Sequence, residues 1–80
     1  VRAEARQVMV SIGEILNAGG LTYHNIVKTS IFLKDMNDFT AVNEVYGEFF
    51  MGDFPARETV QVSRLPKDVS VEISVVAVED

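Results

Sequence analysis

The stretch PARETVQVSRLPKDVSVEI, residues 55–73, decides the fold because apolar and polar side chains alternate on both sides of its second proline. Alternation of this kind is typical of β-strands, and the residues LPKD at 65–68 are suited to a turn between two of them. We predict two strands joined by this turn and paired with each other, with Val62 near Val71. The valine faces of both strands are expected to pack against helices.

Upstream of this stretch the periodicity changes twice. Residues 1–20 have apolar side chains at helical spacing followed by a Gly-Gly stop, which predicts a helix with the stripe Ala5, Val8, Met9, Ile12, Ile15 and Leu16. Residues 24–35 alternate like a strand. A second helix, capped by Asp35 or Asn37, follows with the stripe Phe39, Val42, Val45, Tyr46, Phe49 and Phe50. The order helix, strand, helix, strand, strand predicts an α+β fold with both helices on one face of the sheet.

Length, charge and composition restrict the class of protein. Eighty residues form at most one domain, and a chain of this size buries only about 60–65% of its unfolded surface, so we expect association with other subunits to add stability. The net charge of -5 and the lack of a basic cluster disfavour binding to nucleic acid or to an anionic membrane. Without cysteine, a bilayer-spanning apolar run or a signal-peptide pattern, the sequence predicts a cytoplasmic protein.

The two predicted strands contain one arginine and one glutamate that are suited to chemistry. With Gln61 paired near Glu72, alternation places Arg57 and Glu72 on the sheet face turned away from the helices, on the order of 13 Å apart along the strands. Both side chains are simply solvated if that face is free. If a second subunit covers the face, the guanidinium fits a small carboxylate and the glutamate can hold a water. His24 is the only histidine, so we expect no metal site.

The run PARETVQVSRLPKDVSVEI resembles the C-terminal hallmark of the RidA (YjgF, reactive intermediate deaminase A) family, P-A-R-S-x-V-x-V-x-x-L-P-x-x-x-x-V-E-I. ARQVMVSIGEILNAGG and IVKTSIFLKDMNDFTAVNEVYGEFF are similar to the first helix, central strand and second helix of that family. The resemblance implies a chorismate-mutase-like fold, a barrel-like homotrimer and an active site in each cleft between subunits. It also implies hydrolysis of enamine and imine intermediates, such as 2-aminoacrylate, to a 2-oxo acid and ammonia, without a metal or cofactor.

The same resemblance assigns roles to individual residues. Arg57 matches the arginine that grips the substrate carboxylate, and Glu72 matches the glutamate that positions the attacking water and assists proton transfer. Asn43 matches a position that lines the cleft, although tying the helix backbone to a neighbouring loop is an equal alternative. Thr59 stands where many relatives have cysteine and is expected to line the substrate site.

Three functions remain open on the sequence. The resemblance favours an imine deaminase, and the alternatives are an endoribonuclease or translation inhibitor and a non-catalytic ligand-binding regulatory trimer. Residues 1–80 are expected to form a single RidA-like domain that lacks the family's two or three N-terminal strands.

Overall fold

Helix α1, Arg2–Ala18, is the first element of the computed structural model, which describes residues 1–79. Its buried side consists of Ala5, Met9, Gly13 and Leu16. The helix ends where the Leu21 N–H bonds the Leu16 carbonyl and Gly20 adopts a φ of 78°, a conformation that glycine enters without strain. The predicted helix and its stop are confirmed. Ile15 was wrongly placed in the buried stripe: it is 72% exposed, because it lies about 100° around the helix from the centre of that stripe.

Three strands form a mixed sheet in the order β2-β1-β3. They are β1, Ile26–Leu33; β2, Ala56–Gln61; and β3, Val71–Ala77. The central β1 runs parallel to β2 and antiparallel to β3. The predicted pairing of Val62 near Val71, and of Gln61 near Glu72, is therefore wrong. Leu33 of β1 is instead the register partner of both Gln61 and Val71.

Helix α2, Phe39–Gly47, is the crossover that the parallel pairing of β1 with β2 requires. A 3-10 turn, Met36–Asp38, precedes it, and the carboxylate of Asp35 accepts a hydrogen bond from the Asn37 N–H at 2.9 Å. Asp35, one of the two predicted caps, therefore caps this 3-10 turn and not α2, whose N-cap position is Asp38 and has no side-chain cap hydrogen bond. The chain then leaves the helix through a loop in which Gly52 has a φ of 124°.

Both helices lie on one face of the sheet and enclose the core, as predicted for the α+β class. The core consists of Ala5, Met9, Ile31, Leu33, Val42, Val45, Tyr46, Val71 and Ile73. Burying an aliphatic side chain of this size stabilises the fold by about 1.5–3 kcal/mol. At the solvent side the helices are joined by the ion pairs Arg2–Glu44 and Arg6–Glu48, at 2.8 and 2.9 Å.

The side chains of β2 point in the direction opposite to the prediction. Register partners in a sheet lie on the same face, so Arg57, beside Thr29, points to the helix side. Val60, beside Phe32, points to the outer face and is 43% exposed. Alternation separates the two faces of a strand without saying which one meets the helices. Because β2 is an edge strand, its helix side tolerates polar side chains.

The turn before β3 is fixed by a local ion pair. Arg64 Nε donates to Asp68 Oδ1 at 2.6 Å, and this hydrogen bond lowers the pKa of the Asp68 carboxyl below its ordinary value of 3.8. Lys67 and Asp68 have φ values of 61° and 55°, so the chain reverses within a short 3-10 turn that begins at Pro66. Arg64 therefore lies between the end of β2 and this turn.

The first turn of α1 is bonded to the start of β3. Oε2 of Glu4 accepts hydrogen bonds from the backbone N–H groups of Ser70 and Val71, at 2.7 and 3.1 Å. These residues are 66 and 67 positions apart in the chain. The carboxylate thus fixes where β3 begins, one residue before Glu72.

We predict that Gly13→Ala destabilises the protein. A Cβ at Gly13 would lie 2.3 Å from Oη and 2.7 Å from Cζ of Tyr23, whose hydroxyl donates to the Met9 carbonyl at 2.5 Å and whose ring packs on Phe49. Displacing that ring costs about 1–3 kcal/mol, which outweighs the helix propensity that alanine adds, about 1 kcal/mol. Urea unfolding should give a lower midpoint. Asn17→Ala, at an exposed position of α1, is the control and should be neutral or stabilising; equal midpoints for the two variants would contradict the prediction.

Candidate active site

The guanidinium of Arg57 lies between β2 and α2. Nη1 donates a hydrogen bond to Oδ1 of Asn43, and Cζ lies 5.7 Å from the ring centre of Phe39 and 5.4 Å from that of Tyr46. All three partners belong to α2, at positions one turn apart on the same stripe of the helix. The arginine therefore faces α2. The prediction that it lies on the sheet face turned away from the helices is wrong.

A cleft of about 400 Å³ opens beside this arginine. Its walls are formed by Asn43, Tyr46, Gly47, Phe54, Pro55 and Arg57. One side of the cleft offers the guanidinium and the Asn43 amide, and the other offers the apolar surfaces of Phe54 and Pro55. A cleft with one cationic group and apolar walls suits a small carboxylic acid with an apolar side chain.

Arg57 differs from the other arginines in its partners. Arg2, Arg6 and Arg64 each form an ion pair with a carboxylate, whereas within residues 1–79 Arg57 forms none. Its contacts are an amide oxygen and two aromatic rings, none of which carries a negative charge. The positive charge of Arg57 is thus left available to an anionic ligand.

Thr59 follows Arg57 by two residues and lies on the same face of β2. It is half-buried beside its register partner Ile31, and it borders a small apolar hollow together with Arg57, Asn43 and Phe39. This hollow is too small to hold a water molecule. Thr59 therefore borders the hollow and does not line the cleft, although Asn43 and Arg57 border both.

Glu72 lies on the opposite face of the sheet from Arg57. Its register partner is Phe32 of β1, whose side chain points outward, whereas the partner of Arg57 is Thr29, which is completely buried on the helix side. The two residues also occupy different strands on either side of β1 and differ by three residues in register, which separates their backbones by about 14 Å. The prediction that they share one face is wrong, because Arg57 points to the helix side of the sheet whereas Glu72 points outward. One copy of the chain does not bring them together.

The outer face around Glu72 combines apolar and charged side chains. Val60, which is 43% exposed, is the register partner of Phe32 on the central strand, and Val76, which is 54% exposed, is the register partner of Lys28. At the edge, Glu58 accepts a hydrogen bond from Ser30 Oγ at 2.9 Å, and its Oε1 lies 3.9 Å from Lys28 Nζ. Such a mixture is typical of the rim and centre of a subunit interface. Glu58 points away from its neighbour Arg57, since adjacent residues of a strand face opposite sides of the sheet.

Two other features of residues 1–79 bear on function. His24 is exposed in a 3-10 turn, and no group of three or more His, Cys, Asp and Glu side chains in this part of the chain is arranged to hold a metal ion. None of its helices has the length and apolar character needed to cross a bilayer.

The aromatic partners of Arg57 were not predicted from the sequence. Phe39 and Tyr46 were interpreted as core residues of the α2 stripe. The available signal was Asn43, a polar residue between two aromatics on an otherwise apolar stripe, which indicates that this part of the helix faces a polar group.

The sequence of the chain places it in a known family. A profile of the family described as Endoribonuclease L-PSP matches residues 1–79. The chain belongs to this family, whose members include the RidA and YjgF proteins.

Individual relatives are similar over nearly the whole chain. A RutC family protein of Synechocystis is 53% identical over 79 residues, which are 98% of this chain and 61% of that protein. The 2-iminobutanoate/2-iminopropanoate deaminase of Homo sapiens is 47% identical over 79 residues, 99% of this chain and 58% of that protein. The crystal structure of the YjgF gene product of E. coli has a TM-score of 0.94 at 48% identity, and the match covers 99% of this chain and 65% of that one. The chain thus spans less than two thirds of the length of these relatives.

Proposed function

We propose that the full protein hydrolyses 2-imino acids, and the enamines that tautomerise to them, to 2-oxo acids and ammonia. The observation that carries the proposal is the guanidinium of Arg57, which has no carboxylate partner within residues 1–79 and borders a cleft together with Asn43. A 2-imino acid carries the carboxylate that such a group binds. Relatives 47–50% identical to this chain are named 2-iminobutanoate/2-iminopropanoate deaminase, which supports the same chemistry.

The reaction needs few groups from the protein. Arg57 binds the substrate carboxylate, which places the imine carbon over the cleft, and the Asn43 amide holds the guanidinium in place. Glu72 orients a water and accepts its proton as the water oxygen bonds to the protonated imine carbon. Glu72 then passes this proton to the nitrogen of the carbinolamine, the carbon–nitrogen bond breaks, and ammonia leaves while Glu72 takes up the hydroxyl proton and the carbonyl forms. Imine and water are thus converted to 2-oxo acid and ammonia with no other reactant.

The site is proposed to form between two copies of the chain in a homotrimer. Arg57 and Glu72 lie on opposite faces of one sheet, so a cleft that uses both takes them from different subunits. The exposed apolar side chains of the outer face, Val60 beside Phe32 and Val76 beside Lys28, support this arrangement, because a second subunit on that face would remove them from water and would partly desolvate Glu72.

The substrate carboxylate provides a direct test. We expect the full protein to accelerate release of 2-oxobutanoate and ammonia from freshly generated 2-iminobutanoate, and to leave the imine of 2-butanone, which lacks the carboxylate, at its rate in buffer. Arg64→Ala, which removes an arginine already paired with Asp68, is the control and should retain the wild-type rate. Equal acceleration of both imines would show that Arg57 does not select the substrate, and no acceleration of either would overturn the deaminase.

A ribonuclease is the second candidate, because the matching family is described as Endoribonuclease L-PSP. The net charge of -5 and the pairing of Arg2, Arg6 and Arg64 with carboxylates leave little positive surface for a phosphate backbone. RNA cleavage that weakens steeply with salt would support this candidate. Binding of 2-oxobutanoate without turnover would instead support a regulatory trimer.

A further inference from the structure

The cation of Arg57 is held between two aromatic rings. Its Cζ lies 5.7 Å from the centre of Phe39 and 5.4 Å from the centre of Tyr46, both within the range of cation–π attraction. The hydrogen bond to Asn43 fixes the guanidinium in a third direction. These contacts restrict a long side chain without neutralising its charge, which is the condition needed to bind an anion.

The ring of Tyr46 is itself held in position by a hydrogen bond to strand β1. Tyr46 is 2% exposed, and its hydroxyl donates to Oγ1 of Thr29 at 3.0 Å. Thr29 is completely buried and is the register partner of Arg57 on the neighbouring strand. The buried hydroxyl pair therefore joins β1 to the ring, and the ring lies against the guanidinium that projects from β2.

Free arginine side chains lose much conformational freedom when they bind a ligand. An arginine already confined by its surroundings loses less, and the ligand then binds more tightly. Phe39, Asn43 and Tyr46 lie on a single short helix, so their relative positions are set by α2 and not by the ligand.

We propose that Phe39 and Tyr46 are positioning residues, which hold the charged guanidinium of Arg57 ready for the substrate carboxylate, with Thr29 orienting the ring of Tyr46. The proposal rests on the deaminase function described above. It assigns the aromatic pair to substrate affinity and not to the chemical step, so loss of either contact raises KM and leaves kcat nearly unchanged.

Phe39→Leu tests the proposal, because leucine keeps an apolar side chain at this position and removes the ring. We expect KM for 2-iminobutanoate and Kd for 2-oxobutanoate to rise about 10-fold, with kcat within about 2-fold of wild type. Phe39→Tyr should restore both constants. Tyr46→Phe, which keeps the ring and loses its bond to Thr29, should cause a smaller rise of about 3-fold.

Phe49→Leu is the matched control, since Phe49 packs on Tyr23 and does not border the cleft. It should lower thermal stability to a similar extent while KM stays at the wild-type value. If Phe39→Leu also leaves KM and Kd unchanged while the wild type is active, the positioning role is wrong and the deaminase function stands. If the wild type neither binds 2-oxobutanoate nor hydrolyses the imine, both proposals are wrong.

The proposal also predicts a spectroscopic signature. In the ¹⁵N spectrum of the ligand-free protein, the side-chain Nε–H signal of Arg57 should be sharp and shifted by the ring currents of Phe39 and Tyr46. Phe39→Leu should broaden this signal and move it towards the position of free arginine in water. An unshifted, averaged signal in the wild type would contradict a confined guanidinium.

Discussion

Arg57→Ala and Glu72→Gln subunits, each nearly inactive alone, are expected to recover imine hydrolysis when they are mixed. Arg57→Ala removes the group proposed to bind the carboxylate, and Glu72→Gln removes the proton acceptor for the attacking water; loss of such a group typically costs about 10²–10⁴ in rate. Because the two residues lie on opposite faces of one sheet, a site that uses both draws them from different chains. A mixed assembly then contains some sites in which both groups are wild type.

The recovery has an expected size. In a cyclic assembly formed from equal amounts of both variants, each site receives a wild-type arginine in half of the cases and a wild-type glutamate in half, so roughly a quarter of the sites are complete. Co-refolding the two chains, checking exchange by native mass spectrometry and measuring 2-oxobutanoate release gives this fraction. Chains that carry both substitutions, mixed with Arg57→Ala, are the control and should stay inactive. No recovery in verified mixed assemblies would mean that one chain supplies both residues.

The second large effect is expected for Asn43→Asp. The substitution changes an amide into a carboxylate of nearly the same shape, beside the Nη1 atom of Arg57 that now bonds the amide oxygen. The new carboxylate would pair with the guanidinium, neutralise the charge intended for the substrate and repel the substrate carboxylate. We expect KM for 2-iminobutanoate to rise about 100-fold, equivalent to about 2.7 kcal/mol.

Asn43→Ala distinguishes the loss of the hydrogen bond to Arg57 from the effect of a negative charge at this position. Alanine removes the hydrogen bond but leaves Arg57 charged and without a carboxylate partner, so KM should rise only about 3- to 10-fold. Thermal unfolding should show that the Asp variant is as stable as wild type, or more stable, because of the added ion pair. An Asp variant with the KM of the Ala variant would show that Asn43 acts only as a tie between helix and strand.

The fold class was predictable because most elements have one clear periodicity. In β3, Val71 and Ile73 are buried and Glu72 is exposed, as alternation predicted, since this strand packs directly on the core. The order of strands was not predictable in the same way. Consecutive strands often pair, but here β1 lies between β2 and β3, and nothing local in residues 55–73 encodes that insertion.

For the site, too, the sequence indicated which residues are suited to the chemistry but not how the fold arranges them. Arg57, Asn43 and Glu72 were chosen for their chemistry and for a family resemblance, and the structure brings Arg57 together with Asn43 but not with Glu72. The distance between two strands depends on which strand lies between them, and the face of an edge strand depends on which element covers it. Both are long-range properties, so local alternation in β2 could not determine them.

The bonds between Glu4 and the N–H groups of Ser70 and Val71 set an order of events during synthesis. β3, the strand that carries Glu72, can bond to Glu4 only after Ser70 and Val71 have left the ribosome. They must then come back to α1, where Glu4 lies 66 residues earlier in the chain than Ser70. Closing so long a loop is slow compared with forming a helix, so α1 forms before it bonds to the start of β3. A nascent chain that has already folded its helices therefore still lacks the anchored strand β3, on which Glu72 lies.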